Sequence, residues 1–364
     1  MRERKLALAG AIVVGVLAAA AIAIGVAYGP QISTAASLRR MTSKSDGYNL
    51  YRIDIDYAYD LDAIIAADVR DDQAYIDAVL AQALPNIPVE VKAPKFACSA
   101  FRTQTTSGNV LMGRNYDFKD DTSALLVHTR PADGYESIGF AALNNLGAND
   151  ADGSIKGRVA SLLGPFATLD GINEKGVSIA VLTLDSEPTN QNTGRDAINT
   201  SLAIRLVLDR AASTQQAVDL LERYDMHAMA GRDYHFFVSD ATGDSRVVEY
   251  DPEDDGRRLV ATPAREITNY YALYADEVSP NQRNGELGHG KERADAIAAV
   301  LDAASGAITV DVAWEALKAA AQEPNPNDVT SNTQWSVVFD NTDLTADIAI
   351  RRAWDDVYSF AIGK

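Results

Sequence analysis

The sequence predicts an α+β protein in which antiparallel β-sheets are covered by helices. Segments of alternating polar and apolar residues, separated by turn sequences, follow one another from residue 99 onward, as is typical of antiparallel strands. Pairs of helical segments interrupt these strands at two places. The predicted strands are residues 99–105, 110–115, 125–130, 137–143, 177–184, 235–239, 245–250, 258–261, 266–269, 334–340 and 346–351, and the predicted helices are residues 196–212, 214–224, 291–304 and 310–322.

Turn and cap residues set the boundaries of several of these elements. The run Thr-Ser-Gly-Asn at 106–109 is a good hairpin turn between the first two strands. Thr214 is a plausible N-cap for the second helix. The sequence Asn-Glu-Lys-Gly at 173–176 is a reverse turn, and we expect a positive φ at Gly176.

Composition limits the classes of partner. A chain of 364 residues can form one large domain or two ordinary ones, and its 47% hydrophobic and 23% charged residues are those of a folded protein. The formal net charge of −18 argues against nucleic acid or an anionic lipid surface as a partner, because binding phosphates requires an excess of Lys and Arg. The sequence contains no Gly-rich phosphate loop, so it gives no support for a nucleotide, and no cofactor is predicted.

The N-terminus resembles a membrane-targeting segment. Arg2, Arg4 and Lys5 precede an uncharged, mostly apolar run over residues 6–30. A secretory apolar region usually has about 7–15 residues, whereas a spanning helix needs about 20. The length therefore favours an uncleaved signal anchor over a cleaved signal peptide in residues 1–30. The positive charges before the run predict a catalytic domain outside the cytoplasm, either membrane-anchored through a transmembrane helix or secreted.

Residues 31–97 are predicted to be a linker followed by a helical, propeptide-like segment. Residues 51–57 alternate in polarity, and residues 61–84 carry apolar side chains at the three- and four-residue spacing of a helix. Pro85, Pro88 and Pro94 end this helix and predict an extended approach to Cys98.

Cys98 is the only cysteine of the chain. One thiol cannot form an internal disulfide and is by itself a poor metal site, so no metal is predicted. Cys98 is therefore either a small buried hydrophobe or a nucleophile. Taken alone, a free cysteine is more often a core residue, and only its neighbourhood favours chemistry.

That neighbourhood offers a cation and a carboxylate. Arg114 lies on the strand predicted to pair with that of Cys98, and a fixed cation stabilises the reactive thiolate. A base is also needed, and none of the four histidines lies in a cysteine-protease signature. Cleavage before Cys98 would supply one, because an α-amine has a pKa of about 7.7–8.0. Asp117 would then orient this amine, although without Cys98 nearby Arg114 and Asp117 are more typical of solvated charges on a surface strand.

Several motifs together resemble the choloylglycine hydrolase family, which comprises bile salt hydrolases, penicillin V acylases and the related acid ceramidase-like linear-amide hydrolases. They occur in the family's order from residue 51 to the C-terminus, with sixteen positions between Cys98 and Arg114 (114 − 98). The motifs are Cys-Ser-Ala-Phe at 98–101, Gly-Arg-Asn-Tyr-Asp-Phe at 113–118, Asp-Gly-Ile-Asn-Glu-Lys-Gly-Val at 170–177, Thr-Asn-Tyr at 268–270 and Trp-Ser-Val-Val-Phe-Asp at 335–340. The resemblance implies an N-terminal-nucleophile (Ntn) hydrolase over residues 98–364, with a four-layer αββα core of two stacked antiparallel sheets flanked by helices.

The resemblance also implies roles for individual residues. Cys98 would be the nucleophile with its own freed amine as base, and Arg114 and Asp117 would flank the thiol and the amine. Asn269 matches the side-chain donor of the oxyanion hole, and Arg293 is the best match to a later arginine that assists the site. The backbone N–H at Thr183 would complete the oxyanion hole. These roles are what the resemblance implies.

One departure concerns the precursor. Ninety-seven residues precede Cys98, which resembles the acid ceramidase-like branch, in which a longer precursor is cleaved before the cysteine. No second cysteine exists to tether the released segment. We therefore expect autocatalytic processing at Ala97–Cys98, with the released segment held by packing alone.

The sequence thus predicts a hydrolase of linear, non-peptide carbon–nitrogen amide bonds that works through an acyl-enzyme on a small-molecule substrate. Two alternatives stay open, an acyltransferase on the same scaffold and a non-catalytic exported binding module. Bile acid conjugates, penicillin V, acyl-homoserine lactones and fatty amides all remain as substrate classes, and the sequence leaves the oligomeric state open.

Overall fold

The computed structural model describes residues 25, 28–84, 97–283, 285–328 and 331–363. Within these residues the chain forms eight α-helices, three short 3-10 helices and nineteen strands. The helices are α1 (28–37), α2 (Leu61–Ile65), α3 (Asp72–Ala83), α4 (Ile155–Ser161), α5 (Thr200–Arg210), α6 (Thr214–Leu221), α7 (Lys291–Ala303) and α8 (Val310–Ala320).

The strands alternate with these helices along the chain. They are β1 (Arg39–Arg40), β2 (Leu50–Ile55), β3 (Ala97–Gln104), β4 (Val110–Asp117), β5 (Ala124–Thr129), β6 (Ser137–Ala142), β7 (Thr168–Asn173), β8 (Ser178–Leu184), β9 (Ala197–Asn199), β10 (Asp225–His227), β11 (Asp233–Ser239), β12 (Ser245–Tyr250), β13 (Leu259–Pro263), β14 (Glu266–Ile267), β15 (Asn269–Tyr270), β16 (Gly288–His289), β17 (Thr333–Asp340), β18 (Thr345–Ile350) and β19 (Val357–Ala361).

Among the described residues, two large sheets hold most of the strands. A nine-stranded sheet has the order β1-β2-β5-β6-β7-β8-β11-β12-β13, and a six-stranded sheet has the order β14-β3-β4-β17-β18-β19. Both are antiparallel except that β2 pairs in parallel with β5. Two small ribbons, β9 with β10 and β15 with β16, complete the set.

The two large sheets face each other, and helices cover their outer sides. Arg114 on β4 forms an ion pair with Asp170 on β7, with 2.7 Å between Nε and Oδ2, and the rings of Phe140 and Phe339 meet 6.2 Å apart across the same interface. Helices α5 and α6 pack on the nine-stranded sheet, whereas α7 and α8 pack on the six-stranded one. The predicted α+β protein with helix-covered sheets is confirmed, and two parallel pairs, β2 with β5 and β9 with β10, depart from purely antiparallel sheets.

The segment before Cys98 is built into this core. Strand β2 extends the nine-stranded sheet, and Leu50, Tyr51 and Ile53 on it are completely buried. The hydroxyls of Tyr57 and Tyr75 donate hydrogen bonds to the backbone oxygens of residues 162 and 166, at 2.6 and 2.7 Å. Within the segment 31–97, predicted as a linker and propeptide-like helix, residues 31–84 therefore form part of the sheet and its packing.

Several predicted boundaries differ from the structure. The helix expected over 61–84 is two helices, because Asp68 has a φ of 56° and Asp71 caps a new helix start. The helix expected from residue 196 begins at residue 200, since Asn199 accepts a hydrogen bond from the N–H of residue 202 as its N-cap. Ser213, not Thr214, caps α6.

The predicted strand 266–269 is also divided. Glu266 and Ile267 pair with β3, while Asn269 and Tyr270 pair with β16 in a separate ribbon. Strands β1, β7, β9, β10, β16 and β19 have no counterpart among the predicted strands. The expected positive φ at Gly176 is confirmed, at 75°, where a Cβ would lie 2.3 Å from the backbone oxygen of Asn341.

The predicted membrane segment cannot be compared with these elements. Residues 6–30 lie outside the described residues except for residues 25 and 28–30, and the proline-containing approach over 85–96 also lies outside them. Within the ranges that are described, no helix is both long enough and apolar enough to cross a membrane.

Candidate active site

Strands β3 and β4 place the candidate nucleophile and its charged neighbours. They form the predicted hairpin, in which Cys98 lies opposite Tyr116, Ala100 opposite Arg114 and Ala97 opposite Asp117. Side chains alternate between the two faces of a strand, and directly opposed residues share a face. Cys98 and Arg114 therefore face the interior between the two sheets, whereas Asp117 faces the layer of α7 and α8.

Arg114 is completely buried beside the thiol. Its Nε lies 2.7 Å from Asp170 Oδ2, and its Nη2 donates to the carbonyl oxygen of Val181 at 3.1 Å. Burial raises the pKa of the Cys98 thiol to about 11, and the Arg114 guanidinium opposes this rise. In the uncut chain the thiol is therefore held protonated at neutral pH.

Asp117 and Arg293 meet on the opposite face of the hairpin. Asp117 Oδ2 accepts from Arg293 Nη1 at 3.2 Å, and Asp117 Oδ1 accepts from the Thr333 hydroxyl at 2.6 Å. Burial raises the pKa of Asp117, and the charge of Arg293 opposes that shift. Arg293 Nη1 also donates to the backbone oxygen of Cys98 at 3.2 Å, which links this pair to the nucleophile's own backbone.

Asn269 connects the remaining predicted residues. Its Oδ1 accepts from the backbone N–H of Cys98 at 3.2 Å and from Arg293 Nη2 at 2.6 Å. Its Nδ2 donates to the backbone oxygen of Thr183 at 2.7 Å. These three partners fix the orientation of the amide, because an acceptor must face the two donors. The structure thus brings together Cys98, Arg114, Asp117, Thr183, Asn269 and Arg293, whose catalytic roles stay predictions.

The histidines have other partners. His235 Nε2 lies 2.9 Å from the backbone oxygen of Thr268, and His289 Nδ1 lies 3.1 Å from Asp185 Oδ2. His128 lies between two carboxylates, and His227 contacts Arg70. Among the described residues no hydrogen bond joins a histidine to Cys98, so the geometry gives no support for a papain-like Cys–His pair.

Sequence reasoning assigned no role to some of the side chains that hold this site. Asp170 and Trp335 both stood in the quoted motifs, yet only the structure places Asp170 Oδ2 between Arg114 and the indole N–H of Trp335, which donates at 3.1 Å. Thr333 and Gln322, which donate hydrogen bonds to Asp117 at 2.6 and 3.4 Å, lie in none of the motifs that the sequence analysis singles out. Pairing the last hairpin with β4 would have placed Thr333 directly opposite Asp117.

A polar cleft reaches the site from the surface. It encloses about 960 Å³ and is lined by Arg293 and Gln322, both of which contact Asp117. Further lining side chains carry both signs of charge, including Asp185, Arg232, Arg283 and Glu292. Cys98 itself is fully buried in the uncut chain. Across the described ranges, no group of three or more His, Cys, Asp or Glu residues is arranged to hold a metal ion.

Comparisons with known proteins agree with this geometry. Residues 98–256 match the model of a family described as linear amide C-N hydrolases, choloylglycine hydrolase family, and the match begins at Cys98. No curated protein sequence matches the chain.

Solved structures share its fold. A mutant of the conjugated bile acid hydrolase from Clostridium perfringens superposes with a TM-score of 0.55 at 15% sequence identity, covering 73% of this chain and 92% of that one. Penicillin V acylase from Agrobacterium tumefaciens has a TM-score of 0.53 at 18% identity, covering 73% of this chain and 87% of that one. The resemblance predicted from the sequence is confirmed: residues 98–256 match the model of the choloylglycine hydrolase family of linear amide C–N hydrolases, and the solved bile acid hydrolase and penicillin V acylase share the fold.

Proposed function

We propose that this protein hydrolyses linear, non-peptide amides with Cys98 as the nucleophile, after cleavage of the Ala97–Cys98 bond. The freed α-amine of Cys98 is then the base. The observation that carries this proposal is the set of buried side chains around the backbone of Cys98. Asn269 accepts from its N–H and Arg293 donates to its carbonyl oxygen, while Asp117 is joined to both through Arg293.

A purely structural cysteine would not need this arrangement. A buried side chain in a strand is held by its own packing, and its backbone by the strand ladder. Here the backbone nitrogen of Cys98 instead contacts a side chain 171 positions away, which in turn contacts a buried arginine. Buried polar networks cost free energy unless each member is satisfied, so this network supports a functional role for that nitrogen.

Cleavage changes the chemistry of two atoms. In the uncut chain the nitrogen is an amide and cannot accept a proton, and the raised pKa of the thiol, about 11, disfavours the thiolate. A free α-amine has a pKa of about 7.7–8.0 and can take the thiol proton near neutral pH. Asp117 and Arg293, already at this end of β3, would orient the amine.

The reaction then proceeds in two steps through an acyl-enzyme. The amine takes the thiol proton, and Sγ bonds to the carbonyl carbon of the substrate amide. The C–N bond breaks as the leaving amine receives that proton. Water next gives a proton to the α-amine and attacks the thioester, which releases the carboxylic acid and restores the thiol. For Asn269 to stabilise the oxyanion, its Nδ2 must exchange the Thr183 carbonyl for the substrate oxygen.

The N-terminal apolar run supports a location for this activity. We infer that residues 6–30 anchor the chain in a membrane and leave the hydrolase domain outside the cytoplasm. Extraction of membranes at alkaline pH tests this, because an anchored protein stays with the lipid. Release of the full-length chain into the soluble fraction would contradict an anchor.

Amide hydrolysis by matched variants tests the proposed activity. Purified protein is incubated with a bile acid conjugate, penicillin V, an acyl-homoserine lactone and a fatty amide, and released acid is quantified. We expect hydrolysis of at least one by the native protein, loss in Cys98→Ala, and retention in Ser99→Ala, whose buried hydroxyl has no hydrogen-bond partner among the described residues. Activity that survives Cys98→Ala unchanged would refute the nucleophile assignment.

The same assay separates the two alternatives. An acyltransferase would transfer the acyl group to an added amine in preference to water, so a new amide would replace the acid as the main product. A binding module would retain substrate without releasing product, and its chain would remain uncut.

A further inference from the structure

Four charged side chains are buried around Cys98, and they form two ion pairs. Arg114 pairs with Asp170 on the inter-sheet face, and Arg293 pairs with Asp117 on the helix-facing side. With a neutral thiol these four charges cancel. Buried charges are tolerated when they are paired, so each carboxylate keeps one arginine in place.

Asp170 acts on the site from the opposite sheet. It lies on β7, whereas Cys98, Arg114 and Trp335 all lie on the six-stranded sheet. Its Oδ2 lies 2.7 Å from Arg114 Nε and accepts from the Trp335 indole N–H at 3.1 Å. Both Arg114 and Asp170 side chains are 0% exposed, so water does not screen their interaction.

An aromatic stack completes the environment of this pair. The Tyr116 ring stacks on Trp335 with centroids 4.1 Å apart, and the Arg114 guanidinium carbon lies 5.4 Å from the centre of the Tyr116 ring. Trp335 thus donates a hydrogen bond to Asp170 and stacks on the ring of Tyr116. Arg114 is fixed on two sides, by Asp170 and by the backbone oxygen of Val181.

We propose that Asp170 is a positioning residue that sets the ionisation of the Cys98 thiol by holding and partly neutralising Arg114. This inference rests on the proposed role of Cys98 as nucleophile. Arg114 is the cation that stabilises a thiolate at Cys98, and the carboxylate of Asp170 reduces the positive potential that the thiol experiences. Asp170 therefore keeps the thiol less acidic while it fixes the direction of the guanidinium.

The direction of the effect follows from the charges that face the thiol. Arg114 and Tyr116 on β4 and Tyr234 on β11 interact with the thiol. Asp170 faces Arg114 from β7, whereas Asp117, at the end of β4, points to the helix-facing side. Burial raises the pKa of Asp170 to about 6, while Arg114 and the Trp335 hydrogen bond oppose the rise. Above this pH Asp170 is charged and offsets Arg114, so Asp170 is charged throughout the titration of the thiol, whose pKa is about 11. Removing that charge leaves Arg114 uncompensated and lowers the pKa of the thiol.

Thiol titration in the full chain tests this inference without any substrate. Cys98 is the only cysteine, so the rate of alkylation by iodoacetamide, measured against pH, reports its ionisation alone. We expect Asp170→Asn to move the midpoint of this profile to lower pH, which corresponds to at least about tenfold more thiolate at a fixed pH. Asp170→Glu retains the charge and should keep a profile close to that of the native protein. Intact mass verifies that all variants are compared in the same processing state.

A second buried pair provides the control. Asp209 forms an ion pair with Arg205 on α5, at 2.6 Å with both side chains nearly fully buried, and it makes no contact with Cys98. We expect Asp209→Asn to cost stability yet to leave the alkylation profile unchanged. Equal shifts in Asp170→Asn and Asp209→Asn, or an unchanged or higher midpoint in Asp170→Asn, would overturn the inference.

A second variant that removes the charge of Asp170 provides the test if Asp170→Asn does not fold. Asp170→Ser leaves room for water beside Arg114 and should shift the profile in the same direction as Asp170→Asn. If neither variant folds while Asp209→Asn does, Asp170 serves the fold and not the thiol, and the inference is wrong. Because the readout is thiol reactivity, this result is independent of whether the protein hydrolyses any of the amides tested above.

Discussion

Arg293 Nη1 lies 3.2 Å from the carbonyl oxygen of Cys98 and 3.2 Å from Asp117 Oδ2. One nitrogen therefore joins the backbone of the candidate nucleophile to a buried carboxylate. Its neighbour Nη2 donates to Asn269 Oδ1 at 2.6 Å, so the guanidinium donates to three partners. The arrangement predicts that Arg293 is needed both for stability and for chemistry.

Replacing Arg293 by Ala should impair both the stability of the protein and its chemistry. The change leaves Asp117 buried without its cation, and breaking a buried pair in this way costs about 3–5 kcal/mol in the free energy of unfolding. We expect both cleavage before Cys98 and amide hydrolysis to fall at least about a hundredfold, because a lost donor at the reacting centre has that effect. Denaturant unfolding and product release measure the two effects.

Arg283→Ala is the matched control. Arg283 lines the same cleft but is 69% exposed and lies 3.7 Å from its partner Glu292. An exposed pair of this kind contributes about 0–1 kcal/mol. If Arg283→Ala and Arg293→Ala had equal effects, the role given to the Arg293 contacts would be wrong.

Asn269→Ala should abolish most of the activity. It should lower the free energy of unfolding less than Arg293→Ala does. The change removes the acceptor for the N–H of Cys98 and the donor proposed for the oxyanion. Loss of one oxyanion donor lowers kcat by about 10²–10³. Asn190→Ala, at an exposed side chain whose amide bonds only to a neighbouring carbonyl, is the control. A kcat that fell less than tenfold in Asn269→Ala would remove this residue from the oxyanion hole.

The released N-terminal segment should stay bound after cleavage. Strand β2 lies inside the nine-stranded sheet, between β1 and β5, and the chain has no second cysteine for a disulfide. We expect the segment and the Cys98–Lys364 chain to co-elute in gel filtration and to separate only in denaturant. Ile53→Ala, at a completely buried position of β2, should destabilise the assembly by about 2–5 kcal/mol. Separation of the two chains under native conditions would contradict this prediction.

Thiol reactivity should change with cleavage. In the uncut chain the Cys98 pKa of about 11 predicts slow alkylation at neutral pH and a rate that rises as pH approaches 11, because only the thiolate reacts. In the cleaved chain the α-amine takes the thiol proton, so the profile should move toward neutral pH. Identical profiles for cut and uncut protein would show that the amine has no effect on the thiol.

The sequence predicts the site better than its surroundings. The sixteen-residue interval between Cys98 and Arg114 follows from a simple hairpin, in which register is set by a short turn, and the pairing of Arg114 beside Cys98 followed from it. Asn269 and Arg293 came only from the resemblance, because they reach Cys98 from a separate ribbon and from α7.

Long-range packing was the part that local patterns did not predict. Strand β2 joins β5 in parallel across 74 positions, between Tyr51 and Leu125, and no local periodicity encodes such a partner. Asp170 was seen as part of a motif, but its pairing with Arg114 requires knowing that the two sheets stack. The division between Ile267 and Asn269 likewise depends on which neighbour each strand finds, since both pieces have the same strand-like composition.

Intact mass spectrometry of the mature protein, before and after brief incubation with a hydrolysed amide, tests the central claim most directly. The account predicts a chain that begins at Cys98 and ends at Lys364, and a transient gain equal to the acyl group on that chain. Cys98→Ala should show neither cleavage nor adduct, while Ser99→Ala should show both. An intact precursor that nevertheless hydrolyses the amide, or a cleaved chain that is never acylated at Cys98, would contradict it.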